Sequence, residues 1–136
     1  MSRFSKTWKS SPKPRKQRKY LAEAPKHLKS KMLMAHLSEE LAKKYNKRNA
    51  RVRKGDRVKI MRGQFKKRTG KVAKVSLYSL RAYVEGIEFV KKDGSKVMYP
   101  MHPSNFMITE LNLDDKERKK KLDMGKGTIK GESKNG

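Results

Sequence analysis

A chain that carries a formal charge of +25 on 136 residues, from 38 Lys and Arg against 13 Asp and Glu, repels itself unless a polyanion neutralises it. Only 34% of the residues are hydrophobic while 38% are charged. That supply of apolar surface suits a small core with basic extensions, not a core that runs through the whole chain. Two polyanions are candidates, nucleic acid and an anionic membrane surface. No apolar run approaches the roughly 18 residues needed to cross a bilayer. The basic segments lack the wide Leu/Phe/Trp face of an interfacial helix. The first residues hold no apolar stretch of the secretory kind, so a soluble, intracellular protein without a membrane span is expected. Cysteine is absent, which removes disulfides, thiolate metal sites and a thiol nucleophile.

The charge is unevenly spread. Residues 1–54 hold 18 basic and 3 acidic residues, 55–113 hold 12 and 5, and 114–136 hold 8 and 5. In the first 20 residues eight are basic and none is acidic, and Pro12 and Pro14 interrupt them. This stretch is expected to be extended and unfolded when free, forming a basic RNA-binding arm over 1–22. Phe4, Trp8 and Tyr20 sit among its cations. Rings between cations suit single-stranded nucleic acid, where bases stack and phosphates pair. Candidate contacts here are Arg3, Trp8, Lys13, Arg15, Lys16, Arg18, Lys19 and Tyr20.

Residues 23–54 read as two short helices and a linker. Pro25 suits a first helical position, and Leu28, Met32 and Ala35 then share one helical face. Ser38 reads as the N-cap of the second helix, with Glu39 and Glu40 in its first turn and Asn46 as its end. Leu33, Leu37 and Leu41 are available to dock these helices on a neighbour.

From Gly55 the apolar period changes to two. Val58 and Ile60 alternate with Arg57 and Lys59, Val72 to Val75 form a second run, and Tyr83 to Val90 a third, with Gly86 a candidate bulge. Asp93-Gly94 is a hairpin signal that asks both residues for positive φ. Val97 to Tyr99 return, Pro100 and Pro103 bracket a turn around His102, and Phe106 to Ile108 close the series. Short strands with frequent turns over 55–113 predict a mainly β, small barrel, whose closure hides strand edges. A charged helix from Asp114 to about Leu122 and a mobile Gly/Lys/Ser tail complete 114–136.

The run Gly55-Asp56-Arg57-Val58-Lys59-Ile60, then Gly63-Gln64-Phe65-Lys66, then Thr69-Gly70-Lys71-Val72, resembles the KOW module, part of a small SH3-like barrel. Around it stand Pro14-Arg15-Lys16-Gln17-Arg18-Lys19, Ala24-Pro25, His27-Leu28, Leu37-Ser38-Glu39-Glu40-Leu41 and Lys44-Tyr45, and then Tyr99-Pro100-Met101-His102-Pro103-Ser104-Asn105. In that order they resemble the ribosomal protein L-twenty-four family in its archaeal and eukaryotic form, called L-twenty-six in eukaryotes, over roughly residues 12–122. The resemblance implies a structural constituent of the large ribosomal subunit in the cytoplasm, with large-subunit ribosomal RNA and neighbouring ribosomal proteins as partners. It also implies binding near the 5′ end of that RNA, a part in starting subunit assembly, and a place beside the nascent-chain tunnel exit. The chain departs from the family at Lys67, where many members carry Gly, and at Thr69, often acidic. A Lys accepts positive φ less readily, so a shifted turn is expected there.

Arg51, Arg53, Arg62, Phe65, Lys66, Lys67, Arg68 and Lys71 are the further candidate RNA contacts. Phe65 is open between stacking on a base and capping the barrel end. Gly70 is open between tight turn geometry and close approach of RNA backbone. No set of residues has the spacing of a catalytic, metal or cofactor site: the three histidines stand apart, and the acidic pairs fall at helix starts. No small-molecule substrate and no enzymatic activity are expected. The alternatives are a KOW-bearing transcription elongation or antitermination factor and a basic DNA-packaging protein.

Overall fold

The computed structural model describes residues 4, 7 and 10–124. The readings made for Arg3, Trp8 and the tail 125–136 lie outside these residues. Among them, four helices, α1 (Pro14–Glu23), α2 (Lys26–Met32), α3 (Glu39–Tyr45) and α4 (Lys116–Met124), surround one seven-stranded sheet. Its strands are β1 (Met34–Leu37), β2 (Asn49–Arg51), β3 (Arg57–Ile60), β4 (Thr69–Ser76), β5 (Arg81–Val90), β6 (Lys96–Met101) and β7 (Phe106–Glu110). They lie in the order β2-β1-β7-β3-β4-β5-β6.

The alternation seen in the sequence builds the barrel. Val58 and Ile60 of β3 are fully buried and pair across the ladder with Ile108 and Phe106 of β7, also buried. Arg57 faces solvent from the same strand. Burying each such side chain contributes about 1.5–3 kcal/mol. On β5, Ala82 and Val84 are buried and so is Ile87, one step out of a period of two. Gly86 absorbs that extra residue at φ +80, where the register with β6 shifts between Tyr83 and Glu88. This bulge bends β5, so that β4, β5 and β6 fold over the core formed with β3 and β7. Pro100 lies on β6, the last strand of the sheet, where a missing N–H is tolerated.

Several local expectations are corrected. The β5–β6 hairpin has positive φ at Gly94 (+88) alone, and Asp93 stays in the ordinary region. Lys91 N–H donates to the Ser95 carbonyl (2.8 Å) and Gly94 N–H to that of Lys91 (3.0 Å), the three-residue form of hairpin loop in which only the last residue is left-handed. The arm is not extended throughout: α1 starts at Pro14, in the first helical turn, and continues through good helix formers to Glu23. Pro25 caps α2 instead of opening it.

The largest departure is β1. Ala35 belongs to no helical face, because α2 ends at Met32. Ala35 and Leu37 are buried while Met34 and His36 are exposed, a strand pattern. Leu37 and His36 pair in parallel with Ile108 and Met107 of β7, and β2 pairs antiparallel with β1. A parallel partner some 70 positions away leaves no local signal. By contrast α3 follows its cap signals. Ser38 Oγ accepts from the Leu41 N–H (3.5 Å), and Asn46 ends the helix in the left-handed region at φ 50.

Candidate nucleic-acid interface

The loop between β3 and β4 carries the densest accessible charge near the barrel. Arg62, Lys66, Lys67 and Arg68 are all exposed on it, and residues 61–68 include no acid. Backbone bonds hold its shape: Lys67 N–H donates to the Ile60 carbonyl (2.9 Å) and Ile60 N–H to that of Arg68 (2.8 Å). Closing the loop places Lys67 at φ +74, the left-handed region that favours glycine. Of the two roles open to Phe65, the structure places its ring in that of a barrel cap. Its ring is buried in the core and packs on Tyr99 with centroids 5.3 Å apart. The Arg68 guanidinium lies 5.4 Å from the ring centroid. Lys71 projects from β4 beyond the loop and is exposed.

Gly70 is held by packing. A Cβ there would lie 2.7 Å from the Glu85 carbonyl oxygen and 2.8 Å from a Val84 methyl on β5. The constraint comes from the neighbouring strand, and neither a turn nor an RNA backbone is needed to explain it.

In the arm, Lys13 precedes α1, and Arg15, Lys16, Arg18 and Lys19 are exposed along it. Helical spacing puts Arg15, Arg18 and Lys19 side by side on one face, a closer array than an extended chain would make. Tyr20 is half-buried, with the Phe4 ring 5.0 Å away, so its ring is already packed.

Arg51 and Arg53 form a third group beside α4. Arg51 donates to Ser30 Oγ (3.1 Å), and Arg53 pairs with Asp115. That hydrogen bond, the largest cause, holds the Asp115 carboxyl below its ordinary range, helped by the Glu117 N–H.

The device that fixes α4 was not among the residues singled out from sequence. Asp56 is fully buried and Arg118 nearly so. The guanidinium grips the carboxylate in a fork, Nη1 to Oδ1 at 2.5 Å and Nη2 to Oδ2 at 2.6 Å. The Arg53 N–H (3.0 Å) and Asn112 N–H (2.9 Å) donate to the same carboxylate. The second hydrogens on these two nitrogens reach the carbonyls of Asn112 (2.8 Å) and Arg51 (3.0 Å). Both carboxylate oxygens and both terminal guanidinium nitrogens are thus hydrogen-bonded, the condition under which a buried ion pair is sustained. Asp56 was legible only as part of the KOW run, and Arg118 was hidden among the lysines of a charged helix.

His102 stabilises the turn that the two prolines bracket: its Nδ1 accepts from the Ser104 N–H (3.2 Å) and caps the single turn Pro103–Asn105. Burial of the ring, and next the Arg81 charge, lower its pKa from the ordinary 6.5. Among the described residues no group of three His, Cys, Asp or Glu is placed to hold a metal ion. Nor is any helix among them long and apolar enough to cross a membrane.

A small barrel bearing a cationic loop, preceded in the chain by a basic helical arm and followed by a helix pinned to it, defines a protein of the KOW-barrel class. The match to a family model then places it within that class. Over residues 11–124 the chain matches the ribosomal proteins L26 of eukaryotes and L24 of archaea, and it belongs to that family. It is accordingly a structural protein of the large ribosomal subunit.

Proposed function

We propose that this protein binds large-subunit ribosomal RNA near its 5′ end, helps to initiate assembly of the subunit, and lies beside the nascent-chain tunnel exit. Family membership supports the RNA partner, and the resemblance in sequence supports the finer placement. One observation carries the binding reading. The exposed cations fall into arrays with no acid between them, at 62–68 on a loop braced by the barrel and at 15–19 on α1.

A-form RNA hides its base edges in a deep, narrow major groove, so such arrays meet phosphates, 2′-hydroxyls and unstacked bases. The barrel supplies a braced loop and the arm adds a second row of charge along α1 for the RNA. Arg62, Lys66, Lys67, Arg68 and Lys71 act from the barrel, and Lys13, Arg15, Lys16, Arg18 and Lys19 from the arm. Each phosphate neutralised releases counter-ions, which supplies affinity without reading sequence. Neighbouring ribosomal proteins complete the set of partners. The test is sedimentation of tagged protein from cells after a moderate salt wash. Cosedimentation with the large subunit, and with its early precursors, is the expected result. Recovery with RNA polymerase or with chromosomal DNA would overturn the proposal in favour of a transcription or DNA-packaging role.

A further inference from the structure

A cleft of about 500 Å³ opens between α4 and β2, lined by ten residues of which six are Lys or Arg and none is acidic. Its floor is apolar, formed by Met34, Ala50 and Leu122, and Lys47, Arg48 and Arg51 stand among its cationic walls. We propose that this cleft receives a single unpaired nucleotide of the bound RNA, its base on the apolar floor and its phosphates on the surrounding cations. The proposal rests on the RNA-binding reading above and goes beyond it by assigning a subsite and a class of ligand.

Four observations favour a nucleotide. The volume falls in the range of small-ligand pockets, too small for a duplex and sufficient for one extruded base and its sugar. Guanidinium planes are platforms on which unstacked RNA bases lie, and Arg48 and Arg51 supply them here, while Arg53 and Arg118 are held by Asp115 and Asp56. The backbone of β2 also contributes. As the last strand of the sheet it has no further strand on its outer side. The Arg51 carbonyl on that side is taken by Arg118 Nη2 (3.0 Å), and Asn49, two residues earlier, presents its peptide groups in the same direction. Those groups can meet a base edge. Finally, the cleft is preformed. Arg118 ties α4 to Asp56 on one side, and Lys47 Nζ donates to the Lys121 carbonyl (2.5 Å) on the other. Little ordering is then needed when a base enters.

The experiment compares the full chain on two RNA hairpins of equal length, one fully paired and one with a single bulged adenosine, by fluorescence anisotropy across a series of salt concentrations. Bulged RNA should bind about tenfold tighter, the scale of one stacked base. Met34→Glu, which puts an acid on a floor position already 37% exposed, should abolish that preference, and Met34→Leu should keep it. The Met34 methyl resonance should move on adding bulged RNA and stay on adding paired RNA, a readout that needs no variant. Equal affinity for the two hairpins, a still methyl, or a preference that survives Met34→Glu would overturn the subsite while leaving salt-dependent RNA binding intact. Displacement of bulged RNA by polyglutamate more readily than by polyuridylate would overturn it in favour of an acidic peptide. Weak, salt-insensitive binding to both hairpins would instead sink the RNA-binding reading itself.

Discussion

Replacing Arg118 with Ala exposes the energetics on which the position of α4 depends. The change removes both arms of the fork on a carboxylate that is fully buried, and leaves Asp56 with only the Arg53 and Asn112 N–H groups. It also strips the Arg51 and Asn112 carbonyls of their donor. Breaking one side of a buried pair costs about 3–5 kcal/mol. The two surviving N–H bonds place the expected loss near the lower end, about 3 kcal/mol, since charge-assisted bonds to the carboxylate partly persist. Asp56→Ala should cost a similar amount, because the guanidinium then stays buried on carbonyls alone. The double variant should cost well under the sum of the two, with a coupling of about 1–3 kcal/mol. Urea titration followed by circular dichroism measures all three at constant pH and salt. Losses below 1 kcal/mol for Arg118→Ala, or strict additivity in the double variant, would refute the claim that this pair holds the helix to the barrel.

Four further outcomes follow from particular residues. Lys67→Gly should raise stability by about 1 kcal/mol, since the residue sits at φ +74; a thermal melt showing destabilisation would refute strain there. Gly70→Ala should cost about 1–3 kcal/mol, because its Cβ would meet the Glu85 carbonyl oxygen at 2.7 Å and β5 must shift; an unchanged melting temperature would show that the strands are loose. The His102 ring should titrate below 6.5 by NMR, as burial and then Arg81 disfavour its charged form. Because the folded pKa is the lower one, its contribution to stability is complete above pH about 6.5 and is lost as pH falls through the folded value, so urea midpoints that rise on acidification through this window in the native protein but not in His102→Ala would contradict it. Replacing Arg15, Lys16, Arg18 and Lys19 together with Ala should weaken binding to many RNA sequences alike, measured by filter binding; loss confined to one sequence would point to base reading instead.

The barrel was legible because its core residues are close in sequence and on β3 and β7 alternate. Val58 with Ile60 and Phe106 with Ile108 mark their strands without help from the rest of the fold. Gly86 marks its bulge by the odd step from Val84 to Ile87, and Ser38 marks a helix start through a side chain that bonds locally. What was missed depends on distant partners. The β1 strand exists because β7 lies beside it; until that pairing is known, Ala35 fits a helical face with Leu28 and Met32, and Leu33 and Leu37 fit another with Leu41. The helix α1 was hidden by reading Pro12, Pro14 and dense charge as unfolding signals, although Pro14 is well placed at a helix start. The same limit applies to the interface. The cations of the 62–68 loop are visible in one segment. Phe65 among them looks as much like a stacking ring as a core ring, and only the Tyr99 contact decides. The cleft beside α4 is assembled from three separate segments, so Arg48 and Lys121 gave no warning of their proximity.

The dependence of RNA affinity on salt tests the central claim most directly. If polyphosphate neutralises the charge excess through some six to ten contacts, affinity for structured large-subunit RNA should fall about 10³–10⁵-fold between 50 and 200 mM salt, as for proteins on duplex DNA. Affinity that stays level across that range would contradict it.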